Sequence, residues 1–352
     1  GDPGAYDEQC LALDRFVWEH QDFLVLVAAG NDGADTNPPG NGIDSMSVTS
    51  PGTAKNCLTV GASENNRPGQ FGDETYGEWW PGDFPTDPFH SDPMTDSPDD
   101  VVAFSSRGPC ASGRRKPDLI APGTFVLSTR SSQIPANNFA WGAFPPAKDD
   151  YMYMGGTSMA TPLVAGCAAV VRQYLRQTAN IDEPSAALLK TTLIHSSVFL
   201  PYRFAQPGSS GRADDEQGWG RLDLQRVLNP QPPTKVLFFD ETAGLQTGEM
   251  REFAIEISDG SVPLRITLGY NDFPGEDLVN NVNLIANDPN GNFFVGNDLV
   301  GAGAPDSDNN VEGILVENPA TGNWSIRVVA SNIPEGPQSV ALVVSGGGAK
   351  LI

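Results

Sequence analysis

The sequence predicts an α/β domain built on a parallel sheet over residues 1–232, followed by an all-β sandwich of jelly-roll type over residues 233–352. Three observations carry this reading. Residues 23–29 form an unbroken apolar run that ends at Gly30, Asn31, Asp32 and Gly33, as expected of a strand buried on both faces of a parallel sheet. Beyond Lys235 the apolar period changes to two, between Gly, Asn and Pro turns and without helical stretches. Residues 229–233, which include Pro230, Pro232 and Pro233, make a stiff linker between the two patterns.

Residues 5–20 read as a helix, with Leu11, Leu13, Phe16 and Val17 at helical spacing. The helix, the buried strand and then the Gly30–Gly33 turn place a functional loop at the C-terminal end of a strand, where open α/β sheets carry their sites. Residues 63–100 differ from their surroundings. They are rich in Gly, Pro, Asp and Glu and contain Tyr76, Trp79, Trp80, Phe84 and Phe89. This segment reads as an inserted surface loop held by its aromatics, with a metal site or the rim of a cleft as alternatives. Carboxylate density alone does not specify a calcium cage.

Gly155, Gly156, Thr157, Ser158, Met159, Ala160, Thr161 and Pro162 precede a long apolar run. They read as a tight turn delivering Ser158 to the first turn of a buried helix that ends near Gln177, with Pro162 tolerated in that first turn. A hydroxyl there sits in positive potential, which favours an oxyanion nearby. The plainer alternative is a Ser or Thr that merely caps a core helix. Residues 184–196 read as an amphipathic helix, and residues 253–257, 264–268, 324–328 and 340–344 as strands.

The formal net charge of −23 argues against nucleic acid as a partner and suits cation binding. No run of about 18 apolar residues is present, so no membrane-spanning helix is expected. The four cysteines make no disulfide framework in a chain of 352 residues; Cys57 in a strand and Cys167 on the buried helix read as small apolar residues.

Four stretches resemble motifs of the subtilisin-like serine proteases and follow one another along the chain as in that family. Residues 155–162 resemble the nucleophile motif, and residues 24–33 the oxyanion-hole strand and turn. Residues 50–54 with 57–62 resemble the next strand, and residues 104–109 with 116–123 the segment before the nucleophile. Gly218, Trp219, Gly220 and Arg221 resemble the motif that closes the catalytic domain, where packing is the expected role. The tail is similar to the C-terminal domain of the oxidatively stable alkaline proteases of Bacillus.

The resemblance implies a secreted, extracellular serine endopeptidase acting on polypeptides. Ser158 would be the nucleophile that forms an acyl-enzyme, and Asn31 an oxyanion donor together with the Ser158 N–H. Ala28, Ala29 and Gly30 would line the pocket for the residue before the scissile bond. The family's catalytic Asp and His lie upstream of the Asn motif, and His20, His90 and His195 do not stand in its histidine context. The chain is therefore expected to be the C-terminal portion of a protease, nearly inert alone, with the missing N-terminal part as a partner. Other classes remain: a degenerate protease acting as a scaffold, or a non-catalytic module binding calcium or carbohydrate. For calcium, Asp298, Asp306 and Asp308 in an Asn-rich loop offer hard oxygen ligands at alternate positions; solvated turns are the equal alternative.

Overall fold

The structure, a computed structural model, describes residues 2–67, 69–144, 150–201, 204, 213–298 and 303–352. Helix α1 (Glu8–Glu19) begins at Asp7, whose carboxylate accepts the N–H groups of Gln9 and Cys10. Strands β1 (Leu26–Ala28), β2 (Leu58–Ser63) and β3 (Leu119–Pro122) pair in parallel in the order β1-β2-β3. All six residues of β2 are buried, as its central position dictates. The apolar run at 23–29 contributes only three paired residues, and these are half-buried because β1 is the sheet's edge among the described strands.

The segment at 63–100 contains the single-turn helix α2 (Tyr76–Trp79). It builds a small aromatic core in which Tyr76, Phe84, Phe89 and Met94 pack with Phe104 and Phe125. Strands β4 (Val126–Thr129), β5 (Gly142–Ala143) and β6 (Tyr151–Met154) form an antiparallel sheet ordered β4-β6-β5. From β6 the chain turns directly into α3 (Thr157–Gln177).

Helix α3 buries Ala160, Val164, Ala168, Val171 and Leu175, a stripe at helical spacing packed on β2 and β3. The expected buried helix is buried along this stripe only. Leu163 and Val170 are 43% and 48% exposed, and Cys167 is only half-buried. Pro162 is also corrected: it is the sixth helical residue, beyond the first turn, so the Ser158 carbonyl lacks its helical N–H donor.

Helix α4 (Ala186–Ser196) is capped by the Ser185 hydroxyl, which accepts the Leu188 N–H at 3.0 Å. Its sequence reads as amphipathic, yet all eleven residues are buried. The reason is a second cover. One face meets α3 and the parallel sheet; another meets strands that follow the last, short helix α5 (Gln225–Leu228).

Those strands are β7 (Thr234–Leu245), β8 (Met250–Ile257), β9 (Leu264–Gly269), β10 (Asn281–Asn287), β11 (Phe293–Val295), β12 (Val311–Val316), β13 (Gly322–Asn332), β14 (Gln338–Gly347) and β15 (Lys350–Leu351). They form two antiparallel sheets, ordered β11-β10-β13-β8-β15 and β12-β9-β14-β7. Ile255, Ile257, Leu284, Trp324 and Ile326 of the first share one core with Leu264, Ile266, Leu342 and Val344 of the second. Ala341 and Val343 point the other way, into the core that holds α3 and α4. Covering on both faces explains why residues 340–344 are continuously apolar instead of alternating.

The two units interlock through close backbone approach and buried polar groups. A side chain at Gly269 of β9 would place its Cβ 2.3 Å from the Thr191 hydroxyl of α4. The Trp219 ring lies where a Cβ on Gly313 of β12 would stand, so the 218–221 motif serves packing. Lys55 and Asp272, both fully buried, pair at 2.6 Å. His195 of α4 bonds Thr267 Oγ1 at 2.9 Å through Nδ1 and Ser345 Oγ at 2.8 Å through Nε2.

Burial, reinforced by the cations Arg265 and Arg226, holds the His195 pKa well below its ordinary value. The unfolded chain therefore binds this proton before the folded one does, and stability falls as pH drops below about 6.5, by at most about 1.4 kcal/mol per pH unit. Thermal unfolding between pH 7.5 and pH 5.5 should show a steeper loss for the wild type than for His195→Gln. Equal slopes would contradict this role for His195.

Candidate active site

The site forms where the end of β1 meets the start of α3. Ala29 is fixed by its N–H bond to Val60 O of β2, at 2.9 Å. The chain then turns at Gly30, with φ +109°. A Cβ there would stand 2.7 Å from Ser106 Oγ, so only glycine fits. Ser106 braces the turn from both sides. Its N–H donates to Gly30 O at 3.0 Å, and its hydroxyl accepts the Asp32 N–H at 3.1 Å. Asn31 is thereby held exposed at the tip.

Across from it, Gly156 adopts φ +133° and donates its N–H to Gly123 O at 2.7 Å. It is the N-cap of α3, and no side chain caps the helix. Asn31 of the other loop supplies the missing acceptor: its Oδ1 takes the Thr157 N–H at 2.9 Å and lies 3.1 Å from Thr157 Oγ1. The amide nitrogen, Nδ2, lies against Gly156, 3.3 Å from where a Cβ on that residue would stand. Ser158 follows, exposed, on the first turn.

Among the described residues, Asn31 Nδ2, the Ser158 N–H and the Ser158 hydroxyl have no hydrogen-bond partner. Ser158 is therefore not a helix cap. Two free donors stand beside an unpaired hydroxyl at the positive end of a 21-residue helix. Such an arrangement can receive a developing negative charge on an oxygen next to the hydroxyl.

No histidine of the chain serves this hydroxyl. His20 stacks on Phe16 with ring centroids 4.3 Å apart, and His90 Nδ1 lies 2.9 Å from Phe84 O. His195 is enclosed between α4, β9 and β14.

A cavity of about 190 Å³ adjoins Asn31, Gly155 and Gly156. Its other boundaries are Trp80, Asp83, Phe84, Phe104 and Trp141. Trp141 presses on the Gly155–Gly156 turn so closely that a Cβ at Gly155 would lie 2.1 Å from its ring. Of the expected pocket residues Ala28, Ala29 and Gly30, none bounds this cavity; Ala29 is buried, and Gly30 faces Ser106. Trp80 and Phe84 lie in the segment for which the rim of a cleft stood as an alternative, whereas Thr157, Phe104 and Trp141 were not anticipated from sequence. The only local signals are the motif position of Thr157 and the aromatic density of residues 63–100.

The loop with Asp298, Asp306 and Asp308 is internally bonded. Asp306 accepts the Asn297 and Asn309 side-chain amides at 2.6 and 2.9 Å and the N–H groups of Asp308 and Asn309. Asp298 accepts the Gly303 N–H at 2.9 Å. The three carboxylates do not come together at metal-ligand spacing; among the described residues, Glu64, Asp96 and Asp100 do.

A sequence profile of the subtilase family matches residues 1–220. The chain is 25% identical over 445 residues to the serine protease/ABC transporter B family protein tagB of Dictyostelium discoideum, across 97% of this chain and 23% of that protein. It is 34% identical over 176 residues to the serine protease AprX of Bacillus subtilis, across 49% of this chain and 32% of that protein. The serine protease of Aeromonas sobria is similar in structure with 15% identity and a TM-score of 0.34, across 95% of this chain and 68% of that one. The chain thus spans 23% of the length of the first of these relatives.

The geometry makes Gly156 a sensitive position. A Cβ there would stand 3.3 Å from Asn31 Nδ2 in a backbone conformation that L side chains rarely adopt. Gly156→Ala should cost about 1–3 kcal/mol in urea unfolding. Gly82→Ala, where a Cβ meets open space, should stay within about 0.5 kcal/mol. Equal effects at the two positions would contradict the strained-cap reading.

Proposed function

The chain belongs to the subtilase family, and from that membership and the geometry at Ser158 we propose that its parent protein is a serine endopeptidase. The observation that carries this reading is the Asn31 amide, whose Oδ1 accepts the N–H of Thr157, the residue before Ser158, while Nδ2 has no hydrogen-bond partner among the described residues. In this reading Ser158 Oγ attacks the carbonyl carbon of a peptide bond. The carbonyl oxygen becomes an oxyanion and receives hydrogen bonds from Asn31 Nδ2 and the Ser158 N–H. Collapse expels the amine, which takes up the proton removed from Ser158 Oγ, and leaves an acyl-enzyme on Ser158 that water then hydrolyses. The cavity beside Asn31, with Trp80, Phe104 and Trp141 in its walls, takes a substrate side chain.

The proton on Ser158 Oγ needs a base, and we assign that role to a histidine outside these residues, oriented by an aspartate, as the family resemblance implies. On this view the chain is the C-terminal portion of the protease. The half-buried edge of β1 and the exposed Leu163 and Val170 support a covering upstream segment. The second unit reads as a β-sandwich of jelly-roll type, similar to the tail domain of the oxidatively stable Bacillus alkaline proteases, and the parent protein as secreted. Calcium at Asp298, Asp306 and Asp308 would have to displace the Asn297 and Asn309 amides now bonded to Asp306.

In the full-length protein, Asn31→Ala should lower kcat on a peptide substrate by about 10²–10³-fold, the range seen for an oxyanion donor in this family, with a much smaller change in KM. Residues 1–352 alone should turn over substrate at a small fraction of the full-length rate, because the base is absent. An unchanged kcat for Asn31→Ala would remove Asn31 from the oxyanion site. Robust Ser158-dependent turnover by residues 1–352 alone would overturn the external base.

A further inference from the structure

The segment at 63–100 leaves β2 and returns beside it. Ser63 and Val101 form an antiparallel bridge, and the Glu64 N–H donates to Asp100 O at 3.0 Å. Glu64 and Asp100 are therefore directly opposed across that pairing. Both are buried, with 1% and 3% exposure. Asp96 is exposed, and carboxylate oxygens of Glu64, Asp96 and Asp100 lie within 4.8 Å of one another.

A second observation concerns Glu64 alone. Its Oε1 accepts the Tyr76 hydroxyl at 2.6 Å, while its Oε2 is buried and has no hydrogen-bond partner. A buried carboxylate oxygen normally finds a donor or a cation, since leaving it bare costs the full desolvation of the group. Burial and the neighbouring Asp92, Asp96 and Asp100 together push the Glu64 pKa well above the usual carboxylate range.

We propose that Glu64, Asp96 and Asp100 bind a calcium ion, which clamps the returning end of the acidic segment to the end of β2. The donors are all hard oxygens, and an oxygen spacing up to 4.8 Å matches bonds of about 2.4 Å to a central calcium. Calcium tolerates an irregular set of mono- and bidentate carboxylates completed by water, whereas magnesium demands a tighter octahedron. Exposed Asp96 gives the ion its entry and water its access. Through Glu64 and the Tyr76 hydroxyl the ion also fixes α2, whose Trp79 packs on Trp141 at 5.0 Å and whose C-cap Trp80 bounds the cavity beside Asn31. The inference does not rest on the protease reading.

The test is calcium titration of the chelator-treated full-length protein by calorimetry, with terbium luminescence sensitised through Tyr76 as a second readout. Glu64→Gln and Asp96→Asn should each lose one calcium equivalent, or bind it at least about tenfold more weakly, and lose the sensitised terbium signal. Asp306→Asn should keep that equivalent and that signal. Asp96→Asn changes an exposed side chain and decides the matter if Glu64→Gln fails to fold. Calcium stoichiometry, affinity and terbium signal equal to wild type in both variants would overturn the site. Uptake of magnesium but not calcium would overturn the assignment of the ion.

Discussion

The hydrogen bond from the Thr157 N–H to Asn31 Oδ1 joins two loops 126 residues apart, beside the contacts of Thr157 Oγ1 with the Gly30 N–H and Gly30 O. One loop ends an edge strand; the other starts the longest helix. Each must turn through a glycine with positive φ, Gly30 in one and Gly156 in the other. Each glycine is pinned in turn, Gly30 by Ser106 and Gly156 by Gly123 O. A helix N-terminus would ordinarily be capped by its own preceding side chain. Here that role passes to Asn31, which satisfies the helix with one end of its amide and leaves the other without a hydrogen-bond partner among the described residues.

The loops keep their separation because the sheet beneath them is held by buried polar groups. Asp118, just before β3, accepts the Thr59 N–H of β2 at 2.7 Å and pairs with Lys116 at 2.6 Å and Lys190 of α4 at 3.2 Å. Lys55 spends its three donors on Asp272 Oδ2, Phe273 O and Asp277 O of the second unit. Breaking such a pair on one side leaves an uncompensated buried charge, which costs about 3–5 kcal/mol in comparable cases. The second unit is thus part of the scaffold that positions β2 and α4, and through β2 the Ala29 N–H that starts the Asn31 turn.

What was legible in the sequence was local. Ser158 and Asn31 lie in short motifs whose glycines and apolar flanks state their backbone shape. Helices α1, α3 and α4 were legible from spacing, but what covers each was not. Helix α4 reads as amphipathic because Lys190, Thr191, Thr192 and His195 are polar. Each is nonetheless buried and satisfied: Lys190 by Lys55 O and Cys57 O, the threonines by Ala187 O and Leu188 O within the helix, His195 by two strands. Helix α3 errs the other way, because its apolar residues run round a cylinder of which only one stripe meets the sheet. Alternating carboxylates at Asp306 and Asp308 suggested ligands, and in the structure Asp306 accepts the side-chain amides of Asn297 and Asn309. Composition marked residues 63–100 as unusual, but which aromatics reach the cavity and which carboxylates meet is decided by pairing with β2 and packing on Phe104 and Phe125.

The central claim is that Ser158 is a nucleophile set beside a preformed oxyanion site. Reaction of the full-length protein with a fluorophosphonate, followed by peptide mass mapping, tests it most directly, because an activated hydroxyl must displace fluoride from phosphorus while donors stabilise the charge that builds on the phosphoryl oxygen in the transition state. The account predicts a single adduct, on Ser158, that is absent from Ser158→Ala. An adduct on another residue, or none on the correctly folded protein, would contradict it.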